Sequence, residues 1–165
     1  MRQTTQNSLN IRATPQEIYN ALINPKALEV WQAPDDMTAK VHDFDLRVGG
    51  GYRMSLFYPD SEKETSGKTS SKEDRFAARF IELIPENRIV QAINFDTSNP
   101  DFAGEMTMEI KLEPIDNGTK VTFLFKDIPR GIKPEDNEAG TISSLEKLAK
   151  YVQEKYSLKS NINEQ

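Results

Sequence analysis

The chain has 165 residues, 28% charged and 36% hydrophobic, a balance that suits one globular domain with a real core. A net charge of -5 and an isoelectric point near 5.0 argue against nonspecific binding to nucleic acid or anionic membrane, which need cations. With no cysteine, disulfides, thiolate catalysis and cysteine metal ligands are excluded, and a reducing compartment fits.

No apolar run approaches the ~20 residues of a membrane span, and the start, MRQTTQNSLN, lacks the apolar core of a signal peptide. The expected location is the cytoplasm. In chain order, residues 4–13 alternate weakly and predict a first strand on a sheet edge. Thr14, Pro15 and Glu17 then read as N-cap, first helical residue and capping-box partner. Ile18, Ala21 and Leu22 give that helix an apolar face. Asn24-Pro25 ends it, because a residue before proline avoids helical geometry. A short second helix over 25–30 leads to Trp31.

Strands are expected over 38–46 and 52–58, joined through Gly49-Gly50-Gly51, where the missing Cβ permits positive φ. In the second of these, Tyr52, Met54, Leu56 and Tyr58 share one face. Residues 59–73, rich in Ser and Lys, predict a mobile loop. Strands follow over 75–84 and 88–96. Gln91 shares a face with Ile89, Ile93 and Phe95, so its amide needs a partner. Residues 105–114 alternate cleanly, with Met106, Met108, Ile110 and Leu112 inward. Asp116-Asn117-Gly118 signals a hairpin into a last strand carrying Val121, Phe123 and Phe125 inward.

Residues 127–140 are expected to be a long connection to a final helix over 142–156. There Ile142, Leu145, Leu148, Ala149, Val152 and Tyr156 form one apolar stripe. A single helix cannot bury its own stripe and needs the sheet. The pattern therefore predicts an α+β fold, a curved antiparallel sheet closing on one long helix. One domain over 1–158 with a frayed tail over 159–165 is expected.

Four ordered stretches carry a resemblance. The first is Thr14-Pro15-x-Glu17-Ile18-Tyr19-x-Ala21-Leu22, followed by Pro25, Leu28, Trp31 and Pro34. The second is Phe44-Asp45-Leu46-Arg47-Val48-Gly49-Gly50 with Tyr52-Arg53. The third is Arg79-Phe80-x-Glu82-Leu83-x-Pro85-x-x-Arg88-Ile89-Val90. The fourth is Gly140 followed by Ser144-Leu145-Glu146-x-Leu148. Together they resemble the activator-of-heat-shock-protein-90-ATPase-like family of the START-like (SRPBCC) superfamily. The resemblance implies a helix-grip fold of six or seven strands, two short helices after the first strand, and an apolar cavity between sheet and helix. Some superfamily members bind lipids or other hydrophobic ligands; others are cyclases or hydrolases. The chain departs from the pattern at Thr141, where the family often has tryptophan, and at Ala78, where it often has glycine. The first departure implies a wider cavity at that end. The namesake's separate chaperone-binding domain has no counterpart in this sequence, so chaperone activation is not carried over by name.

The expected function is binding of a small hydrophobic molecule with no committed chemistry. The candidate lining is Trp31, Tyr52, Met54, Tyr58, Met106, Met108, Phe123, Phe125 and Leu145, which a close-packed core would use equally well. Paired methionines beside aromatics suit an adaptable cavity, because thioethers repack cheaply. Arg53, Arg79 and Glu105 are the polar candidates for its wall, against a default of surface ion pairs. Asp45 and Arg47 flank the glycine turn and are placed to fix it by pairing. His42, the one histidine, reads as a surface imidazole. No cofactor or metal is expected, since there is no histidine pair and residues 134–138 lack calcium-loop spacing. Alternatives are a cyclase- or hydrolase-type enzyme in the same cavity, or a chaperone-related interaction module. Monomer and homodimer are both admitted.

Overall fold

Strands β1 (Gln3–Ile11), β2 (Thr38–Asp45), β3 (Gly51–Phe57), β4 (Glu73–Ile84), β5 (Arg88–Phe95), β6 (Met106–Ile115) and β7 (Gly118–Ile128) make one antiparallel sheet. Helices α1 (Pro15–Leu22) and α2 (Pro25–Trp31) lie between β1 and β2, and α3 (Pro134–Asn163) follows β7. The computed structural model describes residues 3–34, 36–59 and 72–163, with side chains of α3 as far as Tyr156. Residues 60–71 of the loop expected from the sequence lie outside the described residues.

The strand order is β1-β7-β6-β5-β4-β3-β2. From β2 to β7 the chain is a simple meander, and β1 returns beside β7. Sequence-adjacent β1 and β2 are therefore the two edges of the sheet, and α1 and α2 carry the chain between them. Period-two alternation puts Met54, Phe76, Phe80, Met108, Ile110 and Phe123 on the inner face, all 5% exposed or less. Each such side chain contributes ~1.5–3 kcal/mol on burial.

Both short helices are locally specified. The backbone N–H of Glu17 donates to Thr14 Oγ1 at 3.1 Å, and that of Thr14 donates to Glu17 Oε1 at 2.8 Å. Asn24 Oδ1 accepts from the N–H groups of Lys26 and Ala27. The Trp31 indole N–H donates to the Ala21 carbonyl at 3.0 Å, which locks α2 against α1. At the β2–β3 turn Gly49 has φ +87°, as expected, and Gly51 has a different role. A Cβ there would stand 1.9 Å from the Ala78 carbonyl oxygen, so glycine lets β3 approach β4. The β6–β7 hairpin turns on Asp116-Asn117, with Asn117 at φ 63° and Ile115 paired with Gly118.

Two expectations need correction. The connection after β7 is short, because β7 runs to Ile128 and α3 starts at Pro134, taking in half of the segment expected to be loop. Pro134 stands at the first helical position, with Glu135 and Asp136 in the first turn, a start signal in its own right. The buried stripe of α3 is also rotated. Thr141, Ser144, Leu145, Leu148 and Val152 are buried, whereas Ile142 is 47% exposed. At ~100° per residue, Ile142 lies roughly 100° from the centre of the stripe, on its solvent flank. Ser144 Oγ donates to the Gln32 carbonyl at 2.8 Å and Lys147 Nζ to the Ala33 carbonyl at 2.6 Å, fastening α3 to the end of α2.

Candidate functional site

A pocket of about 440 Å³ opens where the first turns of α3 meet the end of α2 and the inner face of the sheet. Its floor is Phe76, Ile93, Met106, Met108, Phe123 and Phe125, presented by β4 to β7. Trp31, Leu56 and Phe95 wall it, and Ile132 and Gly140 reach it from the chain around the start of α3. The Trp31 and Phe123 rings sit 5.9 Å apart and tilted, and Phe76 meets Phe95 edge-on at 6.2 Å.

Of the nine lining residues expected from sequence, Trp31, Tyr58, Met106, Met108, Phe123 and Phe125 are brought together around this pocket. Tyr52, Met54 and Leu145 are not among its lining. They are 3%, 0% and 1% exposed and belong to the closed core. Thr141, singled out as the small residue at a position the family often fills with tryptophan, lines the pocket.

The polar side of the pocket was not read from the sequence. Asp74 is 3% exposed and lines it, with Tyr58 donating its hydroxyl to Asp74 Oδ2 at 2.8 Å. Asp74 follows the parity of Phe76, Ala78 and Phe80, so the alternation of β4 continued upstream would have found it. Asp136 and Asn137 line the pocket from the first turn of α3, the part of the helix expected to be loop. Asn137 Oδ1 accepts from Thr5 Oγ1 at 2.5 Å, and Thr141 Oγ1 donates to the Asn137 carbonyl at 2.7 Å.

Behind the floor, Gln91 finds the partner its inward position demands. Its Nε2 donates to the Tyr52 hydroxyl at 3.2 Å and lies 3.3 Å from the Met108 sulfur. Burial holds the Tyr52 phenol above its ordinary pKa of 10.0, an effect partly offset by the amides of Gln32 and Gln91. Gln32 Oε1, from a lining residue, is buried with no hydrogen-bond partner among the described residues.

The charged candidates lie elsewhere. Arg53 pairs with Asp43 at 2.5 Å, and Arg79 with Glu105 at 3.6 Å, all four substantially exposed on the outer face. Arg53 holds the Asp43 carboxyl below its usual value through a hydrogen bond. Asp45 and Arg47 pair at 2.7 Å across the turn, as expected. His42 is exposed and its Nε2 meets Ser55 Oγ at 2.8 Å. Ser55 Oγ donates its proton to Glu73, so the imidazole must donate to the serine. That is the reverse of what a serine nucleophile requires, and Ser55 is fully buried.

A seven-stranded antiparallel sheet gripped by a C-terminal helix, with a pocket at one end, defines a helix-grip module of the kind that serves ligand binding or protein interaction. The chain belongs to the family described as Activator of Hsp90 ATPase homolog 1-like protein, whose profile matches residues 12–153. Protein CV1439 from Chromobacterium violaceum is 30% identical, with a TM-score of 0.80 over 91% of this chain and 96% of that one. Protein Mll3558 from Rhizobium loti shares the fold at 24% identity and a TM-score of 0.71, covering 90% of this chain and 96% of its own. An AHSA1-like protein from Aeromonas hydrophila does so at 18% identity and 0.68, covering 92% of each chain. No curated protein matches significantly. Among the described residues no helix is long and apolar enough to cross a membrane.

Proposed function

We propose that this chain binds a small hydrophobic molecule in the pocket between sheet and C-terminal helix, without chemistry of its own, as a cytoplasmic monomer or homodimer. The observation that carries the reading is the volume of about 440 Å³ over a floor of methionines and aromatics. Specific small-molecule sites have this size and this apolar character with a few placed polar groups. The Tyr58–Asp74 pair is what an enzyme in the same pocket would build on. Its hydroxyl donates to the carboxylate at 2.8 Å, and among the described residues no His, Lys or Arg lines the pocket to complete a catalytic set.

One observation favours the interaction reading. Leu46, Val48 and Ile81 are exposed around the β2–β3 turn, which is tied to β4 by Gly49 N–H donating to the Phe80 carbonyl at 2.8 Å. Native mass spectrometry of protein purified without added ligand, with thermal shifts against a hydrophobic panel, separates the two. A bound small molecule or stabilisation by one chemical class supports the pocket reading. An empty protein with no shift transfers the weight to the turn, where a pull-down with and without Val48→Asp is the next step.

A further inference from the structure

The two ends of α3 are held very differently. From Thr141 onward the helix buries Thr141, Ser144, Leu145, Leu148 and Val152, and Ser144 and Lys147 tie it to the end of α2. Over residues 134–140 no side chain is buried: Pro134, Asn137 and Gly140 are partly covered and the others are exposed. Yet Asp136, Asn137, Ala139 and Gly140 line the pocket. Upstream the chain is anchored again. Ile128 is buried, the Gly131 N–H donates to the Asp101 carbonyl at 2.8 Å, and Arg130 pairs with Asp101 at 2.9 Å. The first turns of α3 are thus a piece of pocket wall slung between two anchored points, with little apolar burial to hold it down.

Two features meet where this piece joins the anchored helix. A Cβ on Gly140 would meet the Pro34 ring at 3.8 Å, an ordinary contact, and the φ of Gly140 is not left-handed. Neither packing nor conformation asks for glycine there, and in a helix interior glycine is about fivefold less favourable than alanine. The next residue, Thr141, turns its hydroxyl back onto the Asn137 carbonyl at 2.7 Å, a bond that weakens and bends helices. On the sheet side, Thr5 Oγ1 of β1 donates to Asn137 Oδ1 at 2.5 Å and fastens the piece to the sheet.

We propose that residues 134–139 are a lid on the pocket, hinged at Gly140 and Thr141 and latched by the Thr5–Asn137 bond. Ligand enters and leaves when these turns unwind or swing away, while the rest of α3 stays on the sheet and the core stays closed. This rests on the ligand-binding reading above and adds how access to that site is controlled. Glycine at the hinge lowers the cost of opening, and the latch raises it.

The test is amide-resolved hydrogen exchange on the full chain, with stopped-flow kinetics of phenylnaphthylamine. In the free protein, amides 138–141 are expected to exchange at least about 100-fold faster than amides 145–152, with the step at the hinge, and bound probe is expected to slow them. Thr5→Val removes the latch from outside the pocket lining and is expected to speed both the exchange of amides 138–141 and probe dissociation by about fivefold. Gly140→Ala is expected to slow both by about the same factor. The exchange map of the unsubstituted protein stands by itself if a variant misfolds. Protection that is uniform along α3, or substitutions that shift exchange and leave probe dissociation unchanged, overturn this inference; saturable binding of the probe then leaves the pocket reading intact. No binding of the probe overturns both.

Discussion

Replacing Thr141 with tryptophan asks whether the space at the start of α3 is open. Thr141 is 5% exposed, lines the pocket, and donates its hydroxyl to the Asn137 carbonyl of its own helix. A buried tryptophan removes about 150–250 Å² from water. Taking ~100 Å² of that as net gain over threonine gives ~2.5 kcal/mol at ~25 cal/mol per Å². Fixing the new side chain costs ~1 kcal/mol. The net expectation for Thr141→Trp is stabilisation by ~1–2 kcal/mol, or a rise of about 2–8 °C in Tm for a chain of this size. The same substitution in a filled core forces off-rotamer packing and costs ~1–3 kcal/mol. The sign of the change therefore decides the matter. Far-UV circular dichroism is the readout, because the added indole confounds fluorescence. A lower Tm with native secondary structure would refute the reasoning.

Tyr52→Phe removes the hydroxyl that accepts from Gln91, and is expected to cost ~1–3 kcal/mol at neutral pH in a urea titration. It is also expected to flatten part of the alkaline limb of the stability curve. Burial raises the folded-state pKa of Tyr52 above 10.0, so its contribution is complete below pH 10 and is lost as pH rises through the raised value. Tyr19, likewise raised by burial, supplies a further part of that limb. Gly51→Ala places a Cβ 1.9 Å from the Ala78 carbonyl oxygen and is expected to cost more than ~2 kcal/mol, read as a fall in the urea midpoint. Thr14→Ala removes the hydroxyl that accepts from the Glu17 N–H, leaves the Thr14 N–H to Glu17 bond available, and is expected to cost ~1 kcal/mol with the denaturant slope unchanged.

The sheet was legible because β4, β6 and much of β3 and β7 alternate and because the strands end in turn residues. Met106 to Leu112 and Val121 to Phe125 announce their inner face without any knowledge of neighbours. The capping box of α1 was legible because it is entirely local. The start of α3 was missed because its first two turns are polar. A hydrophobic stripe cannot mark a stretch whose buried side faces a pocket rather than the core, and there Pro134 was the better signal. The same cause displaced Ile142. The helix places small polar Thr141 and Ser144 where the stripe approaches the pocket, so apolar spacing alone drew the face too wide. Arg53, Arg79 and Glu105 drew attention by charge, but parity sends them outward into ion pairs. Asp74 was hidden because it begins a strand directly after a polar, lysine-rich stretch. Which of the inward residues border the pocket and which are sealed beneath, as Tyr52 and Met54 are, depends on the approach of α3 and α2, which no single strand encodes.

Trp31 is the chain's one tryptophan, is 1% exposed, and lines the pocket. Energy transfer from it to the neutral probe phenylnaphthylamine therefore reports a probe bound to the chain, and competition by a second hydrophobic ligand tests that the two share one site. The account predicts saturable transfer at one probe per chain, competed by the best ligand of a hydrophobic panel. Absence of transfer, or transfer that rises without saturating, would contradict it.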